Sequence, residues 1–289
     1  MTMFETLISA TQLSEAIDTA APGRLVILDC SFELGDPQAG HRTFASGHVP
    51  GAHYIHLEDT LSAPKTGRNG RHPLPDPDGF VRALASLGVS NDTQVVAYDN
   101  AGGMYASRLW WMLRWVGHQA VAVLDGGLAA WQAAGLPVTQ DAGQPALAGD
   151  LSRRASRVRT VDYAEVLANL DSGARLVIDA RAPDRYRGEN ETIDPVGGHI
   201  PGARNRLFRD NLGADGRFKP ASQLRDELSQ MIGTRSPDEL VSQCGSGVTA
   251  CHNLLALEVA GLPGAALYPG SWSEWCAQPG ARIATGATA

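Results

Sequence analysis

Short apolar runs alternate along this chain with stretches whose apolar residues recur at helical spacing. Leu25-Val26-Ile27-Leu28-Asp29, Val95-Val96-Ala97-Tyr98-Asp99 and Val121-Ala122-Val123-Leu124-Asp125 read as short strands. Between and after them, Asp78 to Leu87, Met104 to Val116 and Leu128 to Ala134 carry helical patterns, stopped by Gly88, Gly117 and Gly135. The second half does the same. Leu176-Val177-Ile178-Asp179 is followed by a loop, a helix from about Ser222 to Ile232, a buried strand at Leu240-Val241-Ser242-Gln243, a helix over Cys251 to Glu258 and a final helical turn, Trp272-Ser273-Glu274-Trp275. Strand alternating with helix predicts an α/β class in which a parallel sheet is flanked by helices.

The halves match in detail. Gly47-His48-Val49-Pro50-Gly51-Ala52 recurs as Gly198-His199-Ile200-Pro201-Gly202-Ala203, and Asp125-Gly126-Gly127 followed by Trp131 recurs as Pro269-Gly270-Ser271 followed by Trp275. Two duplicated domains of about 140 residues follow, a size at which each buries its own core. They are placed at 1–140 and 158–289, with a linker over 141–157 where Gly, Ala and Pro, then Ser and Arg, replace the periodic pattern. The repeat aligns Asp99-Asn100-Ala101-Gly102 with Cys244-Gly245-Ser246-Gly247, so only the second domain has a nucleophile there.

Composition narrows the classes. Hydrophobic residues at 43% and charged residues at 19% describe a globular chain, and the net charge of −7 without a long basic run argues against nucleic acid or an acidic membrane as partner. The N-terminus has no basic region followed by an apolar core, and no apolar run approaches the length of a membrane span, so the cytoplasm is the default expectation. Four cysteines, Cys30, Cys244, Cys251 and Cys276, are too few and too irregularly spaced for a disulfide scaffold, and no Cys-x-x-Cys pair offers a zinc or redox motif. Nothing calls for a cofactor or a metal. Cys30, Cys251 and Cys276 read as small buried hydrophobes.

Cys244 differs because it stands between a strand and a helix, facing the free N–H groups of the helix's first turn, which with the helix dipole favour a thiolate and any anion the sulfur carries. Free cysteine titrates near about 8.5, so a nucleophile working at neutral pH needs that help. Gly245 and Gly247 let the loop curl with its N–H groups inward, and Val248 and Thr249 carry the curl into the helix, forming an anion nest. Ser246 places a hydroxyl where it can bond a donor or relay a proton. A buried cysteine before a tight turn is the plain structural alternative.

The tandem Gly-His-(Val/Ile)-Pro-Gly-Ala motifs, the Cys-Gly-Ser-Gly-Val-Thr loop confined to the second repeat and the closing Gly270-Ser271-Trp272-Ser273-Glu274-Trp275 resemble a two-domain rhodanese-type sulfurtransferase over nearly the whole chain. The neutral loop is similar to that of 3-mercaptopyruvate sulfurtransferases, whereas typical thiosulfate sulfurtransferases have basic residues after the cysteine. The resemblance implies two rhodanese-like α/β domains, the first inactive, with the site at the bottom of a cleft between them. It implies a cysteine that takes a sulfane sulfur from a small-molecule donor, becomes a persulfide, and passes the sulfur to cyanide or to a thiol, on a thioredoxin-like protein or a low-molecular-weight carrier. It also implies that Ser246 acts with a histidine and an acid from the first domain, matched here by His72 and Glu58, although the family usually has Asp at the latter place. Arg185 matches the donor-binding arginine. Mercaptopyruvate enzymes commonly add a second arginine shortly afterwards, and 189–197 contains none; Arg187 reads as a solvated neighbour.

Other readings keep their tests. Cysteine-dependent phosphatases share the strand–loop–helix geometry but need Cys-x5-Arg, and the sixth residue after Cys244 is Ala250. A rhodanese-type domain can also serve as a binding or regulatory module, against which the retained Cys244 speaks. His48 and His199 head equivalent turns in an active and an inactive domain and read as structural. Asp29 and Asp179 read as acceptors that organise loops, and Trp110, Trp111 and Trp115 as core.

Overall fold

The computed structural model describes residues 3–141 and 147–287. It divides into two compact units, the first made of Met1–Ala63, Pro75–Arg157 and Ala214–Phe218, the second of Pro64–Leu74, Val158–Gly213 and Lys219–Ala289. Five residues of the expected linker, 142–146, lie outside the described residues. Of the rest, Asp141 bonds Thr139 Oγ1 through its N–H, and 147–157 is hydrogen-bonded along the first unit, with Gly149 N–H on Ala85 O, Leu151 N–H on Val89 O and Arg157 N–H on Arg114 O.

In the first unit the elements run Leu7–Ile8 (β1), Ala10–Thr19 (α1), Leu25–Asp29 (β2), Ala39–Ser46 (α2), Ala52–Tyr54 (β3), Pro77–Ser86 (α3), Gln94–Tyr98 (β4), Ala106–Trp115 (α4), Val121–Leu124 (β5) and Gly127–Ala133 (α5). The five strands are parallel in the order β1-β5-β4-β2-β3. The central strand β4 is buried along its whole length, as a strand covered on both faces must be, which is why Val95 to Tyr98 reads as an apolar run; the buried Gln94 that starts it spends its side chain on Phe4. Ile27, Val96, Tyr98, Ala122 and Leu124 of the sheet pack with Leu13, Leu128 and Trp131 of the helices. Trp110 and Trp111 are buried, as expected of core residues, while Trp115 is half-buried.

The second unit repeats the plan: Arg159–Thr160 (β6), Tyr163–Ser172 (α6), Leu176–Asp179 (β7), Pro183–Arg187 (α7), Arg204–Asn205 (β8), Ala221–Ile232 (α8), Leu240–Gln243 (β9), Thr249–Val259 (α9), Ala266–Leu267 (β10) and Ser271–Trp275 (α10). Its parallel order, β6-β10-β9-β7-β8, is that of the first sheet strand for strand. Val177, Val241, Ala266, Tyr268, Trp272 and Trp275 lie in its core. Among the described residues no helix is long and apolar enough to cross a membrane.

Helices α1 and α6, absent from the pattern reading, begin at equivalent capping boxes. Ser9 Oγ accepts from Gln12 N–H while the Gln12 side chain accepts from Ser9 N–H, and Asp162 and Glu165 reciprocate in the same way. The two turn histidines are structural. Each donates Nδ1–H to a carbonyl at 2.8 Å, His48 to Phe44 and His199 to Tyr186, and each stacks on that residue's ring. Asp29 and Asp179 each accept an N–H two residues on, from Ser31 and Arg181. Cys30 and Cys251 are buried, but Cys276, the residue that caps α10, is only half-buried, a correction to its reading as a buried hydrophobe; it packs against the second unit's core without being enclosed in it.

Candidate functional site

Strand β9 ends at Gln243 and α9 begins at Thr249, so Cys244 to Val248 form the turn between them. Cys244 is 2% exposed and Ser246 6% exposed. The Ser246 N–H donates to Cys244 Sγ at 3.5 Å, so the curl turns at least one N–H toward the sulfur. Val248, at the N-cap of α9, makes no side-chain cap bond. Gly247 has φ +77°, and a Cβ there would run into the Pro269 carbonyl, so backbone geometry and space both require glycine. Gly245 differs: a Cβ there would come within 2.8 Å of Arg71 Nη2 and 3.7 Å of Arg185 Nη2, so a side chain would displace the end of Arg71.

Two guanidinium groups therefore lie against the loop's first glycine. Arg185 comes from α7, and its Nε donates to Glu191 Oε2 at 2.9 Å and its Nη2 to Asp194 Oδ2 at 3.0 Å. Arg71 Nη1 donates to Asp194 Oδ1 at 2.5 Å, and the Arg71 N–H is held by Ser273 Oγ at 2.9 Å. Asp194 thus bridges the two arginines through its two oxygens. The segment 189–197, which lacks an arginine, supplies the acids that hold two of them. Sequence reasoning missed Arg71, Asp194 and Glu191; Arg71 stands directly before His72, and that adjacency was the available signal.

His72, 3% exposed, lies in the stretch Pro64–Leu74 that belongs to the second unit, and its Nδ1 is 2.8 Å from Ser246 Oγ. The expected pairing of these two side chains is thus present within one unit. Glu58 belongs to the first unit, half-buried in the turn over 57–60. Val248 is buried, and Thr249 opens α9 half-buried. Cys251, in the first turn of α9, donates its S–H to Gly247 O at 3.4 Å. Arg187, paired with Glu189, is the partly exposed neighbour expected of it.

Burial alone would raise the Glu191 carboxyl, but the bond from Arg185 and the backbone N–H groups of Asp194 and Ile193 outweigh it and hold it below the ordinary carboxylate range. A carboxyl depressed in the fold adds stability above its unfolded pKa, near about 4.3, and loses it as pH falls through the folded value. Below about pH 4 the wild type is therefore expected to lose thermal stability more steeply than Glu191→Gln. Parallel melting curves against pH would show it, and identical acid limbs would refute it.

The counterpart loop of the first unit shows what such a curl can hold. Asp99, fully buried, accepts four N–H groups: Ala101 and Gly103 on Oδ1 at 2.8 and 2.9 Å, Tyr105 and Ala106 on Oδ2 at 2.7 and 2.9 Å. There the anion is part of the chain.

Comparison with known proteins agrees with this picture. The family model described as "Rhodanese-like domain" matches twice, at residues 9–134 and 162–278. A Pseudomonas aeruginosa protein named "Probable 3-mercaptopyruvate sulfurtransferase" is 48% identical over 97% of this chain and 98% of its own length. The thiosulfate sulfurtransferase of Bos taurus is 37% identical over 94% of this chain and 92% of its own. A crystal structure of a 3-mercaptopyruvate sulfotransferase from Escherichia coli superposes with a TM-score of 0.79 at 32% identity, covering 92% of this chain and 98% of that one. With two matched domains, each carrying the same strand order, the chain belongs to the rhodanese-like family in its tandem-domain form.

Proposed function

We propose that this protein is a sulfurtransferase that takes its sulfur from 3-mercaptopyruvate, carries it as a persulfide on Cys244 and delivers it to a thiol or to cyanide. The observation that carries this reading is the convergence on one turn of a sulfur facing a backbone N–H, a Ser–His pair and two arginines. The Cys244 thiolate attacks the donor's thiol sulfur; the S–S bond forms as the carbon–sulfur bond breaks, and the electron pair leaves into the adjacent ketone as an enolate. The donor's thiol proton passes to the enolate carbon, giving pyruvate, and the cysteine is left as Cys–S–S⁻. No oxidant is required. An acceptor thiolate or cyanide then attacks the outer sulfur and releases the Cys244 thiolate.

Each side chain has a place in this sequence. Arg71 and Arg185 anchor the donor carboxylate through planar, multi-donor guanidinium groups. Ser246, bonded to His72, bonds the ketone oxygen as it becomes an enolate and offers a route for the proton. The curl of Gly245, Gly247, Val248 and Thr249 surrounds the persulfide with N–H groups.

Charge favours mercaptopyruvate over thiosulfate, the donor in the names of several relatives. Arg71 and Arg185 face Asp194 and Glu191, two positive against two negative groups, so the cluster has little net charge to offer a dianion. A monoanionic carboxylate needs only the directed N–H bonds. The expected result is a higher kcat/KM with 3-mercaptopyruvate than with thiosulfate, and a clear thiosulfate preference in parallel assays would sink the donor assignment. Arg71→Ala and Arg185→Ala should each raise the donor KM about tenfold or more, the worth of a charge-assisted bond, and leave the acceptor KM unchanged. An unaltered donor KM in Arg71→Ala would remove that residue from the binding set.

A further inference from the structure

Among the described residues Ser271 is the non-glycine residue with a left-handed backbone, at φ +54°, a conformation that a side chain makes unfavourable. The first unit has the same turn with a glycine in it. Gly127, at φ +58°, is the counterpart of Ser271, and the next residue in each unit donates its N–H to the carbonyl that ends the loop strand: Leu128 to Asp99 O at 3.3 Å, Trp272 to Cys244 O at 2.9 Å. The duplicated turn thus needs a left-handed residue in both places, and the unit with the cysteine puts a serine there instead of the easier glycine.

The serine's hydroxyl is fully engaged. Ser271 Oγ donates to Tyr268 O at 2.9 Å, which turns its lone pairs toward Cys244, and it accepts the Cys244 N–H at 3.1 Å. The residue is completely buried, so water does not compete for either bond. Ser273 N–H adds a bond to Gly245 O at 2.9 Å. Three consecutive residues of one turn therefore hold the Cys244 amide, the Cys244 carbonyl and the Gly245 carbonyl.

The two units differ in what else holds the loop. Asp99 anchors its own loop through four N–H bonds to its carboxylate. The Cys244 sulfur accepts the Ser246 N–H at 3.5 Å, and sulfur is a softer, weaker acceptor than a carboxylate oxygen, so it fixes the backbone less firmly.

Resting on the persulfide reading of Cys244, we propose that Ser271 is a positioning residue. Its hydroxyl fixes the Cys244 peptide and so aims the sulfur at the donor, replacing the self-anchoring that the aspartate gives the first loop. A reacting atom displaced by about an ångström can cost two orders of magnitude in rate, so loss of this bond acts on the chemical step and leaves donor binding alone.

The test uses Ser271→Gly and Ser271→Ala in the full chain. Glycine removes the hydroxyl and relieves the backbone, as Gly127 already does; alanine removes the hydroxyl and keeps the strain. Uptake of one sulfur atom by Cys244 from 3-mercaptopyruvate is followed in single turnovers by intact mass, alongside steady-state kinetics and thermal melts. The expected result is that both variants take up sulfur about tenfold or more slowly, to a similar extent, with donor KM within about twofold of wild type although their melting points differ. A wild-type uptake rate in Ser271→Gly, or slowing that merely follows the fraction unfolded, overturns the proposal. Should the wild type itself gain no sulfur on Cys244, the persulfide reading falls and this inference falls with it.

Discussion

Cys244→Ser is expected to abolish sulfur transfer, a loss of at least about a thousandfold in kcat/KM with either donor, while Cys251→Ser keeps most of the activity. The contrast follows from where each thiol sits. Burial, with Asp99 and Asp29 nearby, pushes the Cys30 thiol well above its ordinary value, and burial pushes Cys276 up to about 11. Both remain protonated at neutral pH. Cys251 spends its S–H on the Gly247 carbonyl, a bond that a serine hydroxyl can also make, so its replacement leaves the loop in place. Cys244 alone of the four stands at the strand-to-helix turn with an N–H directed at its sulfur. A serine there keeps the shape but has no anion available at neutral pH and forms no persulfide. Intact mass after incubation with donor reads the outcome directly. Wild type and Cys251→Ser should gain one sulfur that cyanide removes, and Cys244→Ser should gain none. Equal loss in both variants would bring Cys251 into the reaction and require a two-thiol mechanism.

The fold was legible where local pattern and tertiary burial coincide. The apolar stretches of β2, β4, β5 and β7 are unbroken because parallel strands are covered on both faces, whereas β9 shows only Leu240-Val241 before the buried polar Ser242 and Gln243; the glycines after α3, α4 and α5 stop those helices within a residue or two of the expected place. The edge strands β1, β6 and β8 and the inner strand β10 are two residues long, too short for any periodicity to register. Helices α1 and α6 announce their starts through their capping boxes.

At the site, the sequence displayed the residues that belong to one contiguous motif, Cys244 to Thr249. It hid those brought in from afar. Asp194 is visible as an acid but not as the bridge between Arg71 and Arg185, because that role depends on how 64–74 and 189–197 fold against the same loop. The absence of an arginine from 189–197 read as a missing charge; the second guanidinium beside the loop is that of Arg71, some 120 residues earlier in the chain than Asp194, to which it is bonded. Ser271 was conspicuous as part of a motif, yet its positive φ and its bond to the Cys244 amide are properties of a backbone that no residue type announces.

The second large effect is expected in the unit that has no thiol at its loop. Asp99→Ala should destabilise the first unit by about 4 kcal/mol, an appreciable share of the roughly 5–15 kcal/mol that holds a domain folded. The reason is the four N–H groups that converge on the carboxylate. Removing the acceptor strands them away from water, at about 1–3 kcal/mol for each donor left unpaired, less whatever the loop recovers by relaxing. Asp99→Asn keeps one acceptor oxygen and loses the charge, so it should fall between wild type and alanine. Urea unfolding followed through tryptophan fluorescence, with the first unit's transition resolved from the second's, measures the series. The same geometry predicts how the damage can be repaired. Once the carboxylate is gone, its N–H groups form an empty nest for a small anion, and a ligand that binds only the folded state stabilises it by mass action. Chloride or formate should therefore raise the urea midpoint of Asp99→Ala more than that of wild type. A midpoint equal to wild type in Asp99→Ala would mean that the loop is held by its flanking strand and helix alone. The parallel between the built-in carboxylate here and a sulfur anion on Cys244 would then lose its physical basis.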